Sequence, residues 1–490
     1  MPHKDVVFTL LPEERKSGWP PLRLCLVSLL VAMGGSFHFG YQLLITNSSQ
    51  EAFLHFLNDS NYKHGKRKPW NSLESDWSFI VATFFLGCTH GAFLIRFFSR
   101  QFSRKKGMQI SIHIQLWSCV ASIASYYLSY AKLFFAARYF LGLGITLTVG
   151  LSAIFITEIS PISCRGVTSL ANGIVLQIAL VVGAIVAMPE VLGTQTLWSY
   201  MYVIEVVVLI TVILLLPLVH ESPEVLLLKG NTTAAIAAIQ FYHDVGQEDA
   251  ETHIKEITER ENRETDVIGL FDVILDGFTL RGALLGIAVM WGMSMTGITV
   301  INAFSYEILV NAGFENLHAS LANAAFCVCS VIGIFVSMVV IDRYGRRPLL
   351  LWSFSLLVIL NIAIAILLTA LEFSQDQRIL TALVVSICLF NFIFAIGPGP
   401  LSLFISGELV HQNARAACAT WANAAMAIQR FLLLIIYVPL KNYTSEAATY
   451  AFLFIPPMIF LVLVIYHYLP ETKGRSSQQL EEEYNQRVMW

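Results

Sequence analysis

Charge is what this chain has least of. Asp, Glu, Lys and Arg make up 13% of its 490 residues, where a soluble domain carries roughly 25%. That shortage excludes an ordinary water-facing surface. A net charge of -3 with no strongly basic region gives nucleic acid no footing as a partner. The eight cysteines lack metal-ligand spacing. Cys327 and Cys329, two apart, point to different faces of a helix, so neither a metal site nor a disulfide framework is expected. The first 20 residues lack the apolar core of a cleavable signal. No nucleophile–base set, metal cluster or phosphate loop lies in or near the apolar segments, so neither an enzyme nor a cofactor is expected.

What the chain has in abundance is apolar length. It is 56% hydrophobic, with a mean hydropathy of +0.64. Since a membrane-crossing helix needs about 20 apolar residues, spans are expected near 22–44, 77–97, 108–129, 132–155, 168–188, 198–218, 283–305, 318–341, 348–370, 380–404, 416–438 and 449–468. The fold class is therefore an all-α membrane protein of twelve helices in two six-helix bundles. The bundles are expected at 1–218 and 283–468, with a linker at 219–282 and a tail at 469–490. Within the linker, 232–242 and 252–263 have the composition of short surface helices.

The scarce charges repeat. Arg165 follows Glu158 by seven residues, and Arg415 follows Glu408 by seven. Glu221 and Glu471 each lie 63 residues beyond the first glutamate of their half. Arg104-Lys105-Lys106 is echoed by Arg343, Arg346 and Arg347. A duplicated bundle with the same punctuation in both halves points to a transporter, its substrate site between the halves. Pro161 separates Glu158 from Arg165, so one helix face is not the expected arrangement. Pairing between helices is expected instead, with Glu158 and Glu408 accepting from Arg104, Arg346 and Arg347; plain solvated loop charge is the alternative. Paired clusters of this kind suit a latch.

The Lys and Arg excess falls on one set of connections, at Arg100–Lys106, Arg165, Arg343–Arg347, Arg415 and the tail. The positive-inside rule puts that set and both termini in the cytoplasm. The loop after the first span conflicts, with Lys63, Lys66, Arg67 and Lys68. Glycosylation acceptors at Asn47, Asn58 and Asn442 fall outside in this topology; Asn231 falls inside. The expected setting is the plasma membrane, as a multi-pass protein whose partners are the lipid bilayer and a small-molecule substrate. No obligate protein partner is inferred.

Thr157–Gly166 (TEISPISCRG), Asp342–Arg347 (DRYGRR), Gly397–Pro400 (GPGP), Glu408 through Arg415 and Pro470–Gly474 (PETKG) together resemble the sugar porter family of the major facilitator superfamily. The animal facilitative glucose transporters are the branch it resembles. The resemblance runs from Phe39-Gly40-Tyr41 to PETKG. It implies alternating access around a central sugar site. It also implies cytoplasmic salt bridges that lock the outward-facing state, carried by Glu158, Arg165, Glu408 and Arg415 and completed by Arg104, Arg138, Arg346 and Arg347. Gly397, Pro398, Gly399 and Pro400 are expected to break the tenth span, since proline removes a helix hydrogen bond and glycine relaxes the backbone.

The departures concern the sugar ligands. The family's glutamine pair and asparagine in the seventh span are replaced by Met293-Ser294-Met295-Thr296-Gly297-Ile298-Thr299, with Asn302 close behind. The glutamine of the fifth span is Gly173, with Gln177 one turn later. The tryptophan after GPGP is Leu403, and that of the eleventh span is Ala427, with Trp421 nearby. Gln177, Ser294, Thr299, Asn302 and Asn423 are the residues left to bind substrate; helix–helix hydrogen bonding is their alternative role. A hexose or hexose-like polyol carried by uniport is expected. An organic anion on the same fold and a non-transporting sugar sensor are the alternatives, the sensor disfavoured by a short tail. Gln42 stands where proton-coupled relatives carry an acid, and His38 is the rival proton carrier. Arg430, deep in the eleventh span, has three readings: snorkelling outward, pairing with Glu205 or Glu307, or lending positive potential to the pathway.

Overall fold

A computed structural model describes residues 20–482, apart from 64, 66–67, 162–163, 264–267, 375, 474 and 476–478. The amino-terminal tail, Gly474 of PETKG and the tail from 483 onward lie outside the described residues. Among those described the chain is helical and has no strand.

The first half holds α1 (Leu22–Met33), α2 (Ser36–Leu44), α3 (Gln50–Lys63), α4 (Trp70–Gln101), α5 (Arg104–Leu128), α6 (Ala131–Ile159), α7 (Arg165–Val186) and α8 (Trp198–Leu215). Three short helices follow, α9 (Pro223–Leu228), α10 (Thr232–His243) and α11 (Gln247–Arg263). The second half holds α12 (Gly277–Met295), α13 (Ile298–Asn311), α14 (Asn316–Tyr344), α15 (Arg346–Phe373), α16 (Gln377–Ile396), α17 (Pro398–Glu408), α18 (Arg415–Tyr443) and α19 (Glu446–Tyr468).

Ten helical stretches among the described residues are long and apolar enough to cross a membrane, and α1 with α2, bent by 42°, makes an eleventh. The remaining long helix, α5, is too polar to qualify on composition. Its polar residues are spent on neighbours: Gln115 donates to Thr148 Oγ1 at 2.6 Å, and Thr148 donates to Ser111 Oγ at 2.7 Å. A helix can carry such residues across a bilayer when adjacent helices satisfy them.

The breaks matter for the site. The first span of each half is interrupted, α1/α2 at Gly34-Gly35 and α12/α13 at Thr296-Gly297. Gly297 has φ +103°, a backbone region that favours glycine. The carbonyl of Thr296 left free there accepts from Asn361 Nδ2 at 2.8 Å, and Tyr450 donates to Asn361 Oδ1 at 2.8 Å. The tenth span is interrupted at Gly397, between α16 and α17. A Cβ there would lie 2.1 Å from Ser353 Oγ, so only glycine lets α15 come this close. Ser337 donates to the carbonyl of Ile396 at 2.7 Å.

The stretch between the first and second spans is itself largely helix. Ala52, Phe53, Phe56, Leu57 and Ser60 make the buried face of α3, which closes over the end of the bundle opposite the termini, here called the far end. Phe53 stacks on Trp77 with ring centroids 4.6 Å apart, and Trp198 and Phe134 complete that aromatic core. Between the halves, α4 runs along α18 and α7 along α14.

Candidate functional site

A small cavity lies where the halves meet. Gln42 and Thr46, flanking the end of α2, and Arg138 of α6 line it from one half. Thr299 and Asn302 of α13 and Arg430 of α18 line it from the other. The broken first and seventh spans put these side chains there, because each break lets a short helix approach the seam. The free volume is about 10 Å³, close to the room of a single water. The halves have closed on the site, so a sugar-sized molecule requires them to part.

Arg430 is buried, 7% exposed, and its Nε donates to Ser294 Oγ at 3.3 Å. Its guanidinium stands 5.6 Å from the Phe85 ring centre, across the seam. Neither carboxylate considered for it is its partner: Glu205 bonds within the first half, and Glu307 accepts from Gln50 and Lys441. At this burial it does not snorkel either. Thr299 Oγ1 is buried without a protein partner and lines the same cavity.

Five residues were expected to touch substrate, and the structure separates them. Thr299 and Asn302 line the cavity, and Ser294 positions Arg430. Gln177 sits on α7 away from the lining, its Oε1 without a partner. Asn423 donates to the carbonyl of Ala419 on its own helix, at 2.9 Å, and does not line the cavity. Trp421 is also set apart, donating to Leu270 O at 2.8 Å beside the linker.

Arg138 is a correction. It was expected in the cytoplasmic gate, but it is buried at the centre, donating to Gln42 Oε1 and standing 5.1 Å from the Phe84 ring centre. The reason is helix arithmetic: 20 residues separate it from Glu158 on α6, about 30 Å at 1.5 Å per residue. Behind it lies a cluster that sequence reasoning missed. Glu205 of α8, fully buried, accepts from His38 Nδ1 at 3.1 Å and from Gln42 Nε2 at 2.6 Å. Gln42 therefore links Arg138 to Glu205 and keeps the two charges apart. Neither His38 nor Glu205 lines the cavity.

Asn47 is the second correction. Expected as a glycosylation acceptor in an open loop, it is fully buried between the halves. Its Nδ2 donates to Ser305 Oγ at 2.8 Å and to Asn323 Oδ1 at 3.3 Å. Its Oδ1 accepts from Tyr306 N at 3.0 Å, while Asn323 Nδ2 donates to Ser48 Oγ at 3.1 Å. In this closed arrangement the amide is out of reach of a glycan. Asn58 and Asn442 are exposed. With Gln50 donating to Glu307 at 2.8 Å and Asn442 donating to Glu74 at 3.2 Å, these contacts close the far end across the seam.

At the end carrying the termini, the repeated charges pair within each half. Arg104 donates through Nη2 and Nε to Glu158 Oε1 at 2.8 and 2.9 Å. Arg346 Nε donates to Glu408 Oε1 at 3.3 Å, and Thr472 donates to Glu408 Oε2. The backbone amides of Arg346 and Arg347 donate to Glu471 at 3.0 and 3.1 Å, as the amide of Lys105 does to Glu221 at 3.2 Å. The Arg347 guanidinium donates to Tyr466 O at 2.7 Å. Arg165 Nη2 reaches Ser160 O at 3.4 Å, and Arg415 is exposed. Among the described residues no ion pair joins the halves here. Next to Glu158, His243 shares a hydrogen bond of 3.1 Å with the carbonyl of Ile159, and burial pushes its imidazole pKa down to about 4. It is therefore neutral near pH 7 and donates that proton.

Glu408 is partly exposed, so its pair is worth about 1 kcal/mol. Glu408→Gln is expected to raise cysteine labelling from the terminal end roughly fivefold, measured from each membrane side in mutant and parent. Unchanged labelling with lower expression would instead assign Glu408 a folding role.

The sequence profile of the family described as "Sugar (and other) transporter" matches residues 27–484. The human "Solute carrier family 2, facilitated glucose transporter member 9" is 24% identical over 478 residues, covering 96% of this chain and 87% of that protein. The mouse member 7 is 26% identical over 467 residues, covering 92% and 88%. The xylose transporter XylE of E. coli, in a partially occluded inward-open conformation, superposes with a TM-score of 0.76 at 20% identity, over 92% of this chain and 99% of that one. A structure titled as a D-xylose-proton symporter superposes with a TM-score of 0.71 at 19% identity, over 92% and 99%.

Proposed function

The chain belongs to the sugar transporter family, and from that premise we propose that it carries a hexose or hexose-like polyol down its gradient as a uniporter. It is a membrane transporter that works by alternating access. The observation that carries the proposal is the cavity lined from both halves by hydrogen-bonding side chains: Gln42 and Arg138 from one, Thr299, Asn302 and Arg430 from the other. Each sugar hydroxyl needs such a partner, since an unpaired polar group in a dry site costs about 1–3 kcal/mol. The relatives' names as facilitated glucose transporters support the same reading.

Uniport rests on Gln42. The first span offers no carboxylate to the cavity, and Glu205 is enclosed with both oxygens hydrogen-bonded. We further propose that the protein sits in the plasma membrane as two bundles joined by a linker, with both termini in the cytoplasm. On that topology Asn58 and Asn442 take glycans and Asn47 does not. Asn58→Gln and Asn442→Gln are each expected to lower apparent mass on a gel after eukaryotic expression. A shift with Asn47→Gln would contradict the buried placement.

A second reading, an organic anion, is favoured by Arg430, whose charge has no carboxylate partner among the described residues. A proteoliposome panel of hexoses, polyols and organic anions separates the two. Saturable uptake of a neutral hexose or polyol is expected; saturable uptake confined to anions would replace it with the second reading.

A further inference from the structure

A groove of about 700 Å³ runs along the outside of the first half between α5 and α6, away from the central cavity. Residues of α5 at 106, 109–110, 113–114, 117–118 and 121 form its floor, one stripe at helical spacing. From 106 to 121, 15 steps along the helix, its length is about 22 Å at 1.5 Å per residue. One leaflet's hydrocarbon is about 15 Å deep, half of a roughly 30 Å core. The groove thus spans a leaflet and the headgroup layer beside it.

Its character changes along its length. At the end nearest the termini it offers Lys106, Gln109 and His113; beyond them the lining is apolar save for Ser118, with Trp117 and Phe140 as its large walls. Lys106 is exposed, stands 6.0 Å from the Phe102 ring centre, and has no carboxylate partner among the described residues. Arg100, Arg104 and Lys105 precede it in sequence, while Glu158 is already engaged by Arg104 and Glu221 by the Lys105 amide. Trp117 is 67% exposed on the same face. A cation at one end and an apolar trough beyond it complement an amphiphile with an anionic head.

We propose that this groove binds an anionic glycerophospholipid of the adjacent leaflet, its phosphate on Lys106 with His113 alongside and one acyl chain along Trp117 and Phe140. A basic side chain at the membrane surface is worth about 1 kcal/mol toward an anionic lipid, roughly a fivefold preference. The occupant lies against the two helices that Arg104 and Glu158 tie together, so it braces that pair.

The test uses the full-length protein purified from membranes and re-equilibrated with equal amounts of phosphatidylserine and phosphatidylcholine. Retained lipid is counted by native mass spectrometry. Phosphatidylserine is expected to be retained about fivefold over phosphatidylcholine. Lys106→Glu is expected to erase that preference, and Ala136→Phe, which fills the groove, to remove the retained lipid. Equal retention of both lipids in the parent overturns the proposal without any variant being needed. So does a preference that survives Lys106→Glu, or displacement of the phospholipid by a neutral sterol.

Discussion

Arg430→Gln is expected to raise the half-saturation concentration for a neutral hexose or polyol by about 10- to 100-fold. A hydrogen bond from a charged donor is worth about 1.5–3 kcal/mol, and each 1.4 kcal/mol is a factor of ten. The guanidinium faces the cavity with one neutral partner, Ser294. Its remaining donors are therefore available to substrate oxygens. The empty protein should not lose thermal stability, because a buried cation without a counter-charge is costly and its removal relieves that cost. Uptake kinetics and thermal unfolding of the same preparation give both numbers. A fall in stability with equal loss for every substrate would make Arg430 structural. A loss confined to anions would move the function to the second reading.

Asn47→Ala is expected to open the far end. Four polar groups, on Ser305, Asn323, Tyr306 and Ile301, face the Asn47 amide in the closed seam. Ser305 still donates to Asn323 without it, so the net loss is that of about one buried group left unpaired, about 1–3 kcal/mol, a penalty borne by the closed state alone. The equilibrium should move by about 10- to 100-fold. Ala303→Cys reports on it, since Ala303 lines the cavity and is buried in the closed form. An impermeant thiol reagent added at the far end should modify it about 10- to 100-fold faster in the Asn47→Ala background. An unchanged rate with a lower melting temperature would reduce Asn47 to a packing residue.

The sequence carried the architecture well because apolar length and charge punctuation are one-dimensional signals. Helices stand at all the expected spans, those of the first, seventh and tenth interrupted, and Glu158 and Glu408 accept from Arg104 and Arg346. The site was less legible. Arg138 was grouped with the gate by family association, although its distance along α6 from Glu158 already placed it elsewhere. Asn47 looked like a sequon in a loop, because three residues of sequence say nothing about a partner 258 positions away at Ser305. Glu205 escaped notice as a partner of His38 because the pairing joins the first and sixth spans of a half. Arg430 was visible as a deep charge, but only the seam shows that it faces the substrate cavity. Gln177 stands one turn past the position of the family's glutamine and Asn423 is a polar residue of the eleventh span, but the rotation of α7 and α18 leaves both outside the cavity lining.

The most direct test of uniport by this chain is counterflow. Proteoliposomes preloaded with unlabelled hexose or polyol are diluted into a trace of the same labelled compound, at equal pH and without an ion gradient. The account predicts a transient overshoot of label inside, carried by exchange through the alternating cavity, and the same overshoot whether or not a proton gradient is imposed. No overshoot at equal pH, with accumulation appearing only when the outside is made acidic, would contradict it and put the His38–Glu205 cluster at the centre of a proton-coupled cycle.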